Sequence, residues 1–232
     1  MPRPLTAGTG LALAAWCGPG AAAHCRPLAG LLGVPRRRPG VAGIALTFDD
    51  GPHPQGTPAV LAALAGAQAT ATFFLVGEQV ERYPALVTEI VAAGHEAAVH
   101  GYRHRCQMRL APRAFAADLE RAVAVISEVC RRRPACYRPP YGVFTLSGLR
   151  RVRKASLQPI LWSQWARDWR ADTSPREIAA TATRTLTGGD VVLLHDADWY
   201  SSARSHLRTA AALPAILAAA GDRGLETIAL SG

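Results

Sequence analysis

The chain has 232 residues, 49% of them hydrophobic, with 21 glycines and 17 prolines that follow no period. This is enough apolar material for one self-sufficient core, and it excludes collagen-like, repeat and low-complexity architectures. The formal net charge of +9 favours anionic surroundings such as a membrane surface or a cell-wall polymer, but the basic residues are mostly scattered and spell out no nucleic-acid-binding module, so no nucleic-acid partner is expected.

Residues 1–40 read as an N-terminal arm. Arg3 precedes the apolar stretch Leu5 to Trp16, and the small residues Ala21 to Ala23 follow, which is the order of a weak signal peptide or membrane-associated segment. The stretch is shorter than the ~20 apolar residues a transmembrane helix needs. Arg26 and Arg36 to Arg38 follow closely and do not favour export; a poorly ordered amphipathic arm is the alternative. An extracellular or cell-envelope location is the expectation.

From residue 41 to 232 the pattern alternates. Gly43 to Phe48 is a buried strand that ends on an acidic pair, Asp49 and Asp50. Thr57 and Pro58 open a helix as N-cap and first residue. Ala71 to Val76 is a strand, Glu78 to Ala93 a helix closed by Gly94, and His95 to Val99 a short strand. Pro112 to Cys130 is the clearest helix, with Phe115, Leu119, Val123 and Ile126 on one face. Then come a strand near Cys136 to Arg138, a helix from Thr145 to Lys154 and a strand from Pro159 to Trp162. A helix opened by Ser174 runs to Leu186, followed by a strand from Asp190 to Leu194, a helix from Arg204 to Ala220 and a last strand from Leu225 to Ala229. Strand–helix alternation implies parallel strands with helices outside. Polar residues gather at the C-terminal strand ends: Asp49, Asp50, His100, Arg138, Asp168 and His195. In a barrel those ends converge on one mouth, so the α/β class is read as a distorted (β/α) barrel with about seven parallel strands, in preference to an open sheet.

The same residues suggest chemistry. His100 and His104 in "HGYRH" share a face if the segment turns helically, and with Asp50 they make a three-ligand set for zinc or a similar ion. One acid of the pair then binds a cation while its neighbour, Asp49, takes a proton. Alone, "DDGP" is a plain turn. Arg138 in "YRPPYG" suits a guanidinium that holds a carboxylate. Asp168 in "RDWR" places an acid beside the aromatic Trp169, and His195 ends a buried strand as a candidate general acid whose tautomer an acid partner would fix. The 5 cysteines form no C-x-x-C pair, so a thiolate zinc site is not expected; Cys130 and Cys136 are either bridged or, more simply, free and buried.

Taken in series, "TFDDGP", "HGYRH", "RPPYG", "RDWR" and "LLH" resemble the NodB-type polysaccharide deacetylases, carbohydrate esterase family 4, over about residues 41–230. The resemblance implies a distorted barrel and assigns roles: Asp49 the base; Asp50, His100 and His104 the ligands of zinc, with cobalt or nickel accepted; Arg138 the holder of the base; His195 the acid, and Asp168 its partner. It implies that the Tyr141 amide helps stabilise the oxyanion and that Trp169 and Leu193 line the acetyl pocket. The implied reaction is water attack on an N-acetyl group of a glycan, with release of acetate. An O-acetyl esterase of the acetylxylan type and a non-catalytic glycan-binding protein are the alternatives; cyclic-amide relatives tend to lose the metal ligands kept here.

Two positions depart from the family pattern. Gly101 replaces a hydroxyl residue that steadies the histidine loop, which is expected to loosen it, and Trp165 replaces a polar residue in the groove wall. His53 is expected at the rim, His24, His95 and His206 have no assigned partner, and Trp199 and Tyr200 either stack on a sugar or cap the barrel.

Overall fold

A computed structural model describes residues 26–231. The signal-like stretch, His24, Cys17 and Cys25 lie outside the described residues. After a short helix α1 (Arg26–Leu31), the strands are β1 (Ala45–Asp49), β2 (Ala71–Leu75), β3 (Glu96–Val99), β4 (Cys136–Tyr137), β5 (Gln158–Pro159), β6 (Gln164–Trp165) and β7 (Val191–His195). The remaining helices are α2 (Gly56–Gly66), α3 (Gly77–Arg82), α4 (Pro84–Ala92), α5 (Pro112–Cys130), α6 (Leu146–Lys154), α7 (Pro175–Thr183) and α8 (Ser205–Gly221). The strands form one parallel sheet of order β5-β4-β3-β2-β1-β7-β6.

Chain connectivity forces this sheet to curl. Laid flat, seven strands would put the edges β5 and β6 six spacings of ~4.8 Å apart, about 29 Å. Only residues 160–163 join those edges, and five Cα steps reach at most about 18 Å. The sheet therefore wraps into a barrel left open between β5 and β6, and the linker crosses the opening: Ile160 N–H donates to the Tyr137 carbonyl and Ser163 N–H to that of Val191. Ile160, Leu161 and Trp162 are buried there, which is why this apolar run reads as a strand in sequence although the two short strands lie on either side of it. β1 and β2 are buried at every position, because one face fills the barrel and the other meets helices. Phe48 and Phe73 stack at 5.1 Å between centroids.

Three other sequence expectations change. The helix expected over Glu78 to Ala93 is two, because the Pro84 ring disfavours helical backbone at Tyr83 (φ −132°, ψ 54°) and starts α4 afresh. Leu225 to Ala229 makes only a single parallel bridge, Ile44 to Thr227. Both edges of β1 are already taken by β2 and β7, so that segment reaches only Ile44, the residue before β1. Thr57 does not cap α2; it lies inside the helix and its hydroxyl bonds the Asp196 carboxylate. Ser174, by contrast, makes a full capping box with Glu177. Residues after α1 pack on the barrel: Val34 is buried, and Arg37 pairs with Asp190 at 2.8 Å. Cys106, Cys130 and Cys136 are free thiols, and burial pushes Cys130 up to about 11 and Cys136 to about 12. Among the described residues no helix is long and apolar enough to cross a membrane.

The two ends of α2 give a stability test. A Cβ on Gly56 would collide with the Asp196 carbonyl oxygen, whereas nothing lies within 4 Å of one on Gly66. Gly56→Ala is expected to destabilise the fold by about 1–3 kcal/mol. Gly66→Ala should stabilise it by up to ~1 kcal/mol, with both read from urea unfolding midpoints.

Candidate active site

Asp49 ends β1 and lies in register with His195, which ends the adjacent β7. The chain then turns sharply: Asp50 takes a left-handed conformation (φ 78°), and both carboxylates are buried, at 3% and 4% exposure. Gly51 of "DDGP" is required because the Asp196 carboxylate lies against its Cα, where a Cβ would collide with it. Asp196 is itself fully buried; burial first, and the Asp50 charge after it, push its carboxyl up to about 7, against the Thr57 hydroxyl that donates to it at 2.5 Å.

His100 follows β3. Its Nδ1 lies 2.8 Å from the Arg138 carbonyl oxygen, which assigns the proton to Nδ1 and leaves the Nε2 lone pair pointing at the acidic pair. His100 Nε2 is 3.5 Å from Asp50 Oδ1, and His104 Nε2 is 3.3 Å from the same oxygen. One donor atom from each of these residues falls within a 4.8 Å cluster. Asp50 Oδ1 is buried and has no hydrogen-bond partner among the described residues. A buried anionic oxygen without a donor is costly, and a cation shared with two imidazoles removes the cost. The charge states agree with that use. Burial would raise the Asp50 carboxyl, but the close approach of His100 and the charge of His195 bring it down to about 2. Burial foremost lowers His104 to about 4, so its ring is neutral. The residues fit a divalent metal ion.

Asp49 is held by Arg138, whose side chain is wholly buried. One guanidinium nitrogen, Nη1, donates to Asp49 Oδ1 at 2.7 Å and to Thr47 Oγ1 at 2.8 Å; Nη2 donates to the Leu161 carbonyl at 3.2 Å. The guanidinium lies 4.0 Å over the Phe74 ring. Asp49 Oδ2 faces the cleft, 3.8 Å from His100 Nε2. One oxygen is fixed and the other is left to accept a proton.

His195 carries the opposite arrangement. Asp168 Oδ1 lies 3.0 Å from its Nδ1, and Asp168 Oδ2 accepts the His195 backbone N–H (2.8 Å) and the Thr209 hydroxyl (2.8 Å). Burial alone would lower the imidazole, but the Asp168 ion pair and hydrogen bond, with Asp50 and Asp49 behind them, raise it to about 10. The ring is a proton donor with its Nε2 free.

Asp49, Asp50, His100, His104 and His195 line one cleft of about 270 Å³, with Arg138 and Asp168 buried behind them. Its walls include Leu193, Trp169, Trp165 and Tyr141, so the sequence-predicted pocket residues are present together. Tyr141 is left-handed (φ 61°) and 59% exposed. Trp165 lies 5.3 Å from Trp169 and 6.2 Å from Trp162, extending the aromatic wall. Tyr200 stacks on His104 at 4.1 Å and is tied to Glu78 at 2.9 Å, while Trp199 turns away to pack on His53 and donate to the Pro52 carbonyl. Beside Gly101 the histidine loop is tied by the Asp118 carboxylate, which accepts the Tyr102 and Arg103 amides at 2.8 and 3.2 Å. Thr47, Leu161, Phe74, Thr209, Asp118 and Tyr200 are the participants that sequence reasoning missed or left open, and none carries a signal beyond ordinary core or surface composition.

A second group, His53, Asp198 and His206, also brings ligand-type atoms within 4.8 Å. Here the hydrogen bonds argue against a metal. His53 Nδ1 accepts the amides of Gly56 (3.0 Å) and Gln55 (3.2 Å), so Nε2 carries the ring proton and turns it toward Asp198 Oδ1 at 3.3 Å. The group ties the turn after β1 to the loop after β7.

The comparisons with known proteins agree with this geometry. The family model described as polysaccharide deacetylase matches residues 36–160. A chitooligosaccharide deacetylase of Bradyrhizobium sp. (strain ANU 289) is 34% identical over 194 residues, which are 81% of this chain and 88% of the relative. A peptidoglycan-N-acetylglucosamine deacetylase of Bacillus cereus is 33% identical over 190 residues, 81% of this chain and 86% of the relative. The solved family 4 carbohydrate esterase from Streptomyces lividans, in complex with acetate, superposes with a TM-score of 0.72 at 29% identity, covering 80% of this chain and 91% of that one. The curled seven-stranded barrel and these matches agree: the chain belongs to the polysaccharide deacetylase family and is an enzyme of that class.

Proposed function

We propose that the chain is a divalent-metal-dependent hydrolase, zinc by default with cobalt or nickel as substitutes, that removes N-acetyl groups from an N-acetylglucosamine-containing glycan at the cell envelope or outside the cell and releases acetate. The observation that carries the reading is that a ligand-type Asp–His–His group, an Arg-held carboxylate and an Asp-held imidazole open onto one cleft.

Asp50, His100 and His104 would hold the ion, which when bound polarises a carbonyl and lowers the pKa of water. Asp49, fixed through Oδ1, receives the proton of the attacking water on Oδ2. Arg138 holds Asp49 in place and keeps Oδ2 aimed at the cleft. His195, protonated and oriented by Asp168, delivers a proton from Nε2 to the departing sugar nitrogen. Base and acid stand on neighbouring strand ends, so a proton taken and a proton given are separated by one strand spacing. Trp169 and Leu193 wall the acetyl side of the cleft and Tyr141 its mouth; in this reading the Tyr141 amide assists the oxyanion.

The direct test is acetate release from N-acetylglucosamine oligomers by protein stripped with chelator and then restored with zinc. Activity should vanish and return; no release from any acetylated glycan by protein with metal bound would overturn the reading. Asp49→Asn should keep the bound ion but lose turnover by about 10²–10⁴-fold. His104→Ala should instead lose the ion, seen directly as loss of cobalt absorption bands. Equal metal loss in both variants would remove the division between base and ligand.

Asp168→Asn gives a pH test. The acid must be protonated, so activity is lost as pH rises through the His195 pKa. Without the Asp168 charge that pKa falls, and the alkaline limb of the kcat profile should move to lower pH by about one pH unit or more. An unmoved limb would show that His195 is not the titrating acid.

A further inference from the structure

A second groove, of about 650 Å³, adjoins the catalytic cleft and shares His104 and Tyr141 with it. Its other lining residues are Arg105, Cys106, Arg109 and Leu110, so it carries two guanidinium groups and no carboxylate. Both arginines are exposed, and among the described residues neither guanidinium makes a hydrogen bond or an ion pair. The nearby acid, Asp118, has both oxygens occupied by the Tyr102 and Arg103 amides.

The loop that carries the pair is held firmly. Gln107 lies between the two arginines and is 1% exposed; its Oε1 accepts the Thr145 amide at 3.0 Å and its Nε2 donates to the Tyr137 hydroxyl at 3.0 Å. The Gly101 and Tyr102 carbonyls accept the first amides of α3. Asp118 answers part of the Arg105 charge from outside the groove, and the two exposed guanidinium groups on an anchored backbone give the groove a net positive field beside the reaction cleft.

We propose that this groove binds an anionic substituent, a carboxylate or a phosphate, on the sugar next to the one that is deacetylated, so that the preferred substrate is an anionic rather than a neutral N-acetylated glycan. The proposal rests on the deacetylase reading of the adjoining cleft. The shared residues place the groove next to the reacting unit: the unit beyond His104 and Tyr141 enters the basic groove, while the unit on the opposite side meets Trp165.

The test is isothermal titration of the zinc-loaded full chain with three tetramers of one length: an N-acetylglucosamine tetramer, the same backbone with lactyl-ether carboxylates on alternate sugars, and the same backbone 6-phosphorylated. At least one anionic tetramer should bind roughly tenfold or more tightly than the neutral one, the gain expected of charge-assisted hydrogen bonds. Which one does so identifies the anion. The preference should shrink in 0.5 M salt and collapse in Arg105→Gln/Arg109→Gln, whose circular dichroism reports that it is folded. Equal binding of all three tetramers, or a preference that survives the double substitution, overturns the inference. Acetate release from the neutral tetramer alongside equal binding fails this inference alone, whereas no binding and no acetate release from any tetramer sinks the deacetylase reading beneath it.

Discussion

The structure turns on two buried carboxylates on adjacent residues. Burying one ionised acid costs several kcal/mol unless it is paired, and burying two side by side adds their repulsion. Here the two are answered by different means. Asp49 receives a guanidinium, itself solvated by Thr47, the Leu161 carbonyl and the face of Phe74. Asp50 receives only imidazole edges, and one of its oxygens keeps no hydrogen-bond donor among the described residues. Everything else in the site follows from keeping these two solutions apart. Asp50 is left-handed just where the chain leaves β1, and Gly51 lets that turn lie on Asp196.

The barrel serves this separation. Arg138 reaches Asp49 from the end of β4 across the interior, and the Leu161 carbonyl that completes its bonding belongs to the linker crossing the open seam. A flat sheet would leave β4 and β1 on separate stretches of a crevice, with water solvating the guanidinium. The incomplete closure thus has a purpose: the gap between β5 and β6 is where irregular backbone supplies a carbonyl that a ladder-bonded strand would have spent on its neighbour.

Much of this was legible in the sequence because the local signals were strong. Short apolar runs ending in polar residues mark β1, β3, β4 and β7, and the residues at their ends are those that converge. What was not legible depends on contacts distant in the chain. Leu225 to Ala229 has the composition of a strand, but whether it pairs is decided by vacancy at β1, and both edges there are occupied. Thr57 and Ser174 both precede a proline, yet only Ser174 has a glutamate three residues on to complete a box, and the Thr57 hydroxyl is drawn to Asp196, 139 residues away. Leu161 and Phe74 enter through a backbone oxygen and a ring face, groups that residue type does not advertise.

Gly101 shows how a motif position is read differently in sequence and in the fold. Read locally, the missing hydroxyl weakens the loop that presents His100 and His104. In the fold, Asp118 on α5 supplies two acceptors to that same loop, and Gln107 pins its far end to Tyr137 and Thr145. The φ of +91° at Gly101 also sets the carbonyl that receives the Gly77 amide at 3.0 Å, a conformation that strains any residue with a Cβ. The glycine therefore exchanges one short-range hydrogen bond for a tighter turn and a long-range carboxylate. Asp118 and Gln107 tie the loop from its two ends, and Arg105 and Arg109 stand exposed on it, free of that holding role.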